Sequence, residues 1–219
     1  LSGAPQCTLV NFCARQDAPD RLAARQCFAD LTRSFPNTKF DLCEFTGTVE
    51  LMQCDLPLIK SLLVPSELTE MNLNIAMSIY SGLKHVDGFA AYSGLGADEL
   101  LCGYMRMKKD ENANEEIAEH INRLWTRNGG RDDRVAMHLG KMVSCPYLSS
   151  EFINLALSLP VNMLIRPDLP RGEGEKWILR QVALRLGLKT AAKRPKQAMQ
   201  FGNRVAKTQW RGTEKIPQS

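Results

Sequence analysis

The 219 residues suit one sizeable domain, or one domain with a small helical appendage, and their 44% hydrophobic and 24% charged content argues against disorder as the default. No apolar run reaches the ~20 residues that a membrane helix needs, since the stretch 153–165 is broken by Asn154, Ser158, Pro160 and Asn162. The net charge of +4 hides an asymmetry: residues 1–100 carry 7 basic and 12 acidic side chains, residues 101–219 carry 21 and 12, and the stretch from Arg171 onward carries 12 and 3. A basic tail of this kind suits phosphate, RNA, an anionic membrane or an acidic partner, and equally a solvated basic helix. Seven cysteines in apolar contexts, with no CxxC pair and no histidine cluster beside them, speak against zinc or a disulfide framework and for buried thiols in a reducing compartment.

In chain order, Cys7 to Ala14 reads as a buried strand, and Pro19 opens a helix to Ser34. A half-buried strand follows over Lys39–Phe45. A helix is expected over residues 48–63, interrupted by Pro57. Another should run to Leu83, N-capped by Ser66, with Thr69 and Glu70 in its first turn. A brief strand over residues 88–92 leads through Ser93-Gly94-Leu95-Gly96-Ala97-Asp98-Glu99 into a helix starting at Leu100. Three short strands separated by helices imply a parallel sheet. From Asp110 onward only helices are expected, near residues 115–126, 133–141, 150–157 and 173–186. The expected division is an α/β portion over 1–108 and a helical portion with a basic tail over 109–219.

The loop from Ser93 to Glu99 carries the most chemical information. Two closely spaced glycines let the backbone turn sharply and bring its N–H groups close to a ligand, and the N-terminus of the following helix favours phosphate. Asp98 and Glu99 then suit either Mg²⁺ on those phosphates or simple complementation of the helix dipole.

Residues 93–104, Ser-Gly-Leu-Gly-Ala-Asp-Glu-Leu-Leu-Cys-Gly-Tyr, resemble the S-G-x-G-[AS]-D-E-x-x-x-G-Y signature of the asparagine synthetase family's ATP-pyrophosphatase domain. Three later segments are similar to family motifs in the same order. They are Asp132-Asp133-Arg134 with Pro146-Tyr147-Leu148, Arg171 to Arg180 (G-x-K-x-x-L-R), and Pro195 to Gly202 (P-K-x-A-x-Q-F-G). The resemblance implies an adenine nucleotide alpha hydrolase-like ATP-pyrophosphatase fold, N-terminally incomplete, followed by an all-helical half. It also implies a reaction in which ATP activates aspartate as aspartyl-AMP, pyrophosphate leaves, and ammonia displaces AMP. By the same resemblance Ser93 and Gly94 contact the nucleotide, Asp98 ligates Mg²⁺, Lys176 neutralises charge on pyrophosphate, and Ala14 lies near the adenine.

The sequence departs from the family pattern in three ways. The phosphate-wrapping S-G-G-x-D-S loop is not found in Leu1 to Gln6, ahead of the first strand, and no glutaminase domain lies within the 219 residues. Leu95 stands where active synthetases usually carry Glu, and a leucine neither accepts a proton nor holds a cation. Ser144 replaces an arginine suited to pairing a carboxylate, and Ser149 replaces the Asp expected after the P-F-L motif. Two readings follow. One is a non-catalytic member of the fold, needing no cofactor, that serves as a scaffold or subunit among other protein subunits. The other is a fragment of an active ligase using ATP and Mg²⁺. DNA is not an expected partner, and no aromatic–basic interleaving supports RNA contact through the tail. A reducing compartment, cytoplasmic or mitochondrial, is expected; no secretory signal is visible, and an organelle-targeting segment already removed would leave no trace.

Overall fold

The computed structural model describes residues 6–104, 113–124, 128–208 and 210, the side chains of 113–116 excepted. Its elements in chain order are β1 (Gln6–Cys13), α1 (Pro19–Ser34), β2 (Lys39–Thr46), α2 (Val49–Leu62), α3 (Glu70–Leu83), β3 (Ala90–Tyr92), α4 (Ala97–Leu100), α5 (Ala113–Leu124), α6 (Gly130–His138), β4 (Met142–Ser144), α7 (Ser150–Ser158), α8 (Val161–Leu164), α9 (Trp177–Arg185), α10 (Lys189–Lys193) and α11 (Met199–Gly202). They form two compact units. The first takes its described residues from Leu1–Phe89, Gly130–Met142 and Gln197–Ser219, and the second from Ala90–Gly129 and Val143–Lys196. Each unit therefore gathers segments from both sides of residue 108.

In the first unit β1 and β2 run parallel, from Gln6 opposite Lys39 to Cys13 opposite Thr46. Parallel strands need a long crossover, and α1 supplies it, opened by Pro19 and Asp20 and closed by Arg33. The expectation of a fully buried first strand is corrected. β1 alternates between partly buried and exposed residues, with Val10 exposed, and only Phe12 and Cys13 at its end are buried. Burial also pushes the Cys13 thiol above its ordinary value, with Arg21 pulling the other way.

Two helix expectations are corrected as well. Pro57 does not interrupt α2, which runs through it. Pro57 and Gln53 both lie on the exposed side, where a carbonyl freed of its bond can be solvated, while Met52 and Ile59 anchor the opposite face in the core. Nor does Ser66 cap α3. Residues 65–67 make a separate 3₁₀ turn, and Thr69 is the cap, its hydroxyl accepting from Asn72 N at 3.3 Å.

The core of this unit joins Phe12, Met52, Ile59, Leu63, Leu73, Ala76, Met77, Val135, Val205 and Trp210. Polar groups buried in it are satisfied in pairs. Trp210 Nε1 donates to Asn74 Oδ1 at 3.1 Å, and Asn203 Nδ2 donates to Ser78 Oγ at 2.7 Å. On α6, Arg131 holds Asp132 (Nε to Oδ1, 2.8 Å) and donates to Asn72 Oδ1 at 2.7 Å, while Arg134 pairs with Glu67. Desolvation raises the Asp132 carboxyl above the usual range, with Arg131 opposing it.

β3 pairs with β4 in a sheet of its own, not with the first two strands. β4 also corrects the expectation of helices alone beyond Asp110; three residues are too few to leave a periodic signal. The helix expected from Glu173 starts at Trp177, after a turn over residues 171–176. The one expected over residues 115–126 spans Ala113–Leu124, and Thr126 lies outside the described residues. Leu100, Leu101, Cys102, Ile117, Ala156, Leu164 and Ile165 form the second core.

None of the seven cysteines, all described, is in a disulfide, and Cys54 is exposed, so burial does not account for every thiol. No described helix is long and apolar enough to cross a membrane. Because Leu73 is fully buried at the centre of the first core, Leu73→Ala is expected to cost about 2–5 kcal/mol in urea denaturation, whereas a cost well under 1 kcal/mol would contradict this packing.

Candidate functional site

The site grows from the loop that follows β3. Ser93 N donates to Ser144 O at 2.9 Å, which fastens the start of the loop to β4. Leu95 N donates to the Ser93 hydroxyl at 3.2 Å and Ala97 N to Gly94 O at 3.3 Å, so the chain turns back on itself within five residues. Gly96 makes that turn with φ +95°, and a Cβ there would lie 2.4 Å from Leu148 Cδ2. Gly94 is exposed, and a Cβ there would meet nothing within 4 Å, which leaves the backbone of the loop open to approach. The helix expected to begin at Leu100 is corrected: the helical turn α4 starts at Ala97 and ends at Leu100, too short to carry a helix dipole.

Asp98 is the second residue of α4. Gly103 packs directly against it: its N–H donates to Asp98 O at 2.7 Å, and a Cβ on Gly103 would fall 2.2 Å from Asp98 Oδ1. That oxygen is buried and accepts no hydrogen bond among the described residues. Two ammonium groups nevertheless stand beside the carboxylate as ion pairs, Lys176 Nζ at 3.1 Å from Oδ1 and Lys196 Nζ at 3.7 Å from Oδ2. The side chains of Asp98, Lys176 and Lys196 are 30%, 22% and 28% exposed, so the triad is reachable from solvent without being free in it. Glu99, its neighbour, is buried and accepts from the Tyr104 hydroxyl at 2.6 Å, which makes it part of the support rather than a second metal ligand.

Lys176 occupies the left-handed region at φ 51°, ψ 42°, immediately before α9. A non-glycine residue there costs on the order of 1–2 kcal/mol, and such outliers persist where the surroundings over-determine them. Here the surroundings are specific. Gly172 N donates to Glu175 Oε2 at 2.9 Å inside the preceding turn. The buried Arg180 guanidinium donates to Glu175 O at 2.7 Å, to Ala192 O at 2.7 Å and to Arg194 O at 2.9 Å. One side chain thus ties the residue before Lys176 to the residue two before Lys196. Burial pulls Arg180 below its ordinary value, and Glu175 and Glu173 oppose that pull. Lys196 also lies over the Tyr104 ring, 4.3 Å from its centroid.

Ser93, Gly94, Asp98 and Lys176 all belong to the second unit, and Asp98 and Lys176 are in contact. Ala14 belongs to the first unit, just beyond β1, where its N–H donates to Asn203 O at 2.9 Å. Leu95 is half-buried in the loop, and Ser144 contributes its backbone carbonyl to Ser93. Lys196, Tyr104, Glu175 and Arg180 lie within the family-like segments, but only the fold shows what they touch. The one available signal was the Pro195-Lys196 pair, a cation fixed in place by a ring with no φ freedom.

No group of three or more His, Cys, Asp or Glu able to hold a metal occurs among the described residues, so they form no all-protein cage. A single carboxylate with a buried oxygen that accepts no hydrogen bond does fit Mg²⁺, which is commonly held by one or two carboxylates together with substrate phosphates. Asp98 is the residue that would hold it.

Residues 112–213 match the asparagine synthase family. Asparagine synthetase domain-containing protein 1 of Mus musculus is 46% identical over 121 residues, covering 52% of this chain and 19% of its own length. The protein of the same name from Bos taurus is 34% identical over 210 residues, covering 86% of this chain and 33% of its own. The glutamine-hydrolysing asparagine synthetase of Gallus gallus is 29% identical over 202 residues, 89% of this chain and 34% of that protein. The chain thus spans about a third or less of the length of these relatives.

The two loop glycines should respond differently to substitution. Gly96→Ala is expected to lose at least about 2 kcal/mol, from backbone strain and the clash with Leu148, whereas Gly94→Ala should fall within about 0.5 kcal/mol of the parent. Thermal and urea unfolding measure both, and equal losses would contradict this loop geometry.

Proposed function

Because the chain carries an asparagine synthetase-like domain, we propose that it keeps the pyrophosphate-facing half of that domain's site, does not complete amide synthesis, and serves as a scaffold or accessory subunit of a larger assembly. Leu95 carries this reading. It sits in the loop between Ser93 and Gly96, where the family resemblance calls for a carboxylate acting on the aspartyl group, and its side chain has no proton acceptor and no charge. Ser144 supports the same conclusion, because a hydroxyl cannot make the bidentate pair with a carboxylate that an arginine makes. Both substitutions lie within the chain and hold whatever precedes Leu1. The exposed cations Arg185, Lys189 and Lys193 offer an acidic partner a contact surface separate from the Asp98 triad.

The contact of Lys176 with Asp98 favours a second reading, a fragment of an active ATP-dependent asparagine synthetase. In it the Ser93–Gly94 backbone would meet the nucleotide, Asp98 would hold Mg²⁺, Lys176 would neutralise the departing pyrophosphate, and Ala14 would border the adenine. Bound Mg²⁺ would supply charge neutralisation on the phosphates.

Incubation of the 219-residue chain with Mg-ATP, aspartate and ammonia separates the two. The accessory reading expects no AMP or asparagine above a protein-free blank. Aspartate-dependent release of AMP would overturn it and establish the ligase. Native purification provides a second check: the chain is expected in an assembly larger than itself, and quantitative recovery as a free monomer would count against the subunit role.

A further inference from the structure

The apolar stripe of α9 does not end where the second core ends. Ile178 and Leu179 pack against that core, and Val182 and Leu186 continue the same helical face, yet each of these two is 45% exposed. Arg185, also exposed, falls on that face between them. Beyond the turn at Gly187, Lys189 and Lys193 stand exposed one helical turn apart on α10. No carboxylate side chain occurs from Lys176 to Thr213, and none of these three cations forms an ion pair among the described residues. The surface is also held still. Arg180 donates to Ala192 O and Arg194 O, which pins α10 to α9, while Leu188 N donates to Ala183 O at 2.8 Å and Gly187 N to Leu184 O at 3.0 Å across the turn. A partner meeting this face would therefore have little of it to order.

We infer, resting on the reading of the chain as an accessory subunit, that this face of α9 and α10 seats a protein partner through a short acidic segment in which carboxylates flank aliphatic side chains. The two kinds of residue on the face select that chemistry together. A phosphate backbone would meet the cations but would leave Val182 and Leu186 against nothing apolar, and none of the five residues offers a ring on which a base could stack. A membrane would cover the aliphatic side chains only if the helix lay in the interface on its apolar face, and the first part of that face is already taken by the core. An amphipathic helix with Leu, Ile or Val at i, i+3 and i+4, bordered by Asp or Glu, covers both. Burial of Val182 and Leu186 then supplies affinity, while Arg185, Lys189 and Lys193 set orientation and speed the encounter.

The test is cross-linking of the tagged 219-residue chain in its native cell with a water-soluble carbodiimide, which joins a lysine to a carboxylate without a spacer. The parent is compared with Lys189→Glu/Lys193→Glu and with Val182→Gln/Leu186→Gln; all four positions are exposed, and circular dichroism and thermal unfolding verify that each variant is folded. The parent should give links from Lys189 or Lys193 to a segment with Asp or Glu beside Leu, Ile or Val. A synthetic peptide of that segment should bind the purified chain more weakly as salt rises, and either double variant should weaken it by about tenfold or more, whereas the exposed Lys207→Glu in the other unit should stay within about twofold of the parent. If neither double variant loosens the parent's assembly, or no link leaves Lys189 or Lys193, this docking face is overturned while the accessory role stands. Release of the parent by ribonuclease, or by detergent alone, assigns the face to RNA or to lipid and overturns the protein partner. If the parent is recovered quantitatively as a free monomer, the inference and the accessory reading beneath it both fall.

Discussion

A guanidinium taken out of water must give its donors somewhere to go, and Arg180 gives them to the carbonyls of Glu175, Ala192 and Arg194. Arginine cannot shed its charge to escape that requirement, so the segments offering those carbonyls are held around it. Lys176 follows the first of them directly, and Lys196 comes two residues after the last. The position of both lysines beside Asp98 is therefore set by a side chain that touches neither ammonium group. The left-handed backbone at Lys176 lies next to that constraint, while Gly103 packs closely on Asp98 because it carries no Cβ.

The first unit relies on paired burial of polar groups around an apolar core. Asn74 receives the Trp210 indole, Asn203 donates to Ser78, and the Asn203 carbonyl takes the N–H of Ala14 at the end of β1. A polar group buried without a partner costs more than a satisfied one gains, so such pairs specify one packing among many apolar alternatives. They bring a segment near the C-terminus against the first strand, 189 residues away from Ala14 in the case of Asn203. Arg131 and Asp132 on α6 do likewise for a segment inserted from the middle of the chain.

The chemistry of the second unit is lopsided. Lys176 and Lys196, with their supports, face Asp98, while Leu95 brings no charge to the loop and Ser144 gives Ser93 its backbone carbonyl. The basic stretch after Arg171 is likewise not one uniform surface. Lys176 and Lys196 are spent on Asp98 and Arg180 on backbone carbonyls, whereas Arg185, Lys189 and Lys193 remain exposed.

Much of this protein was determined by the sequence alone. Pro19 and the apolar spacing after it place α1 from its first residue to its last, and the alternation over Lys39–Phe45 places β2. The motif at residues 93–104 and the segment around Lys176 carry the family resemblance, and both contribute a residue to the Asp98–Lys176 contact. These signals are local or motif-borne, and local chemistry survives in a linear reading. What the tertiary structure decided is of another kind. It let Pro57 stand inside α2 because the freed carbonyl faces water, moved the cap of α3 from Ser66 to Thr69, and paired β3 with a strand of three residues that no periodicity could announce. It brought Lys196 to Asp98, which lies 98 residues away, through the bonds of a buried arginine. The free energy of such a contact resides in groups distant along the chain, so no window of neighbouring residues contains it.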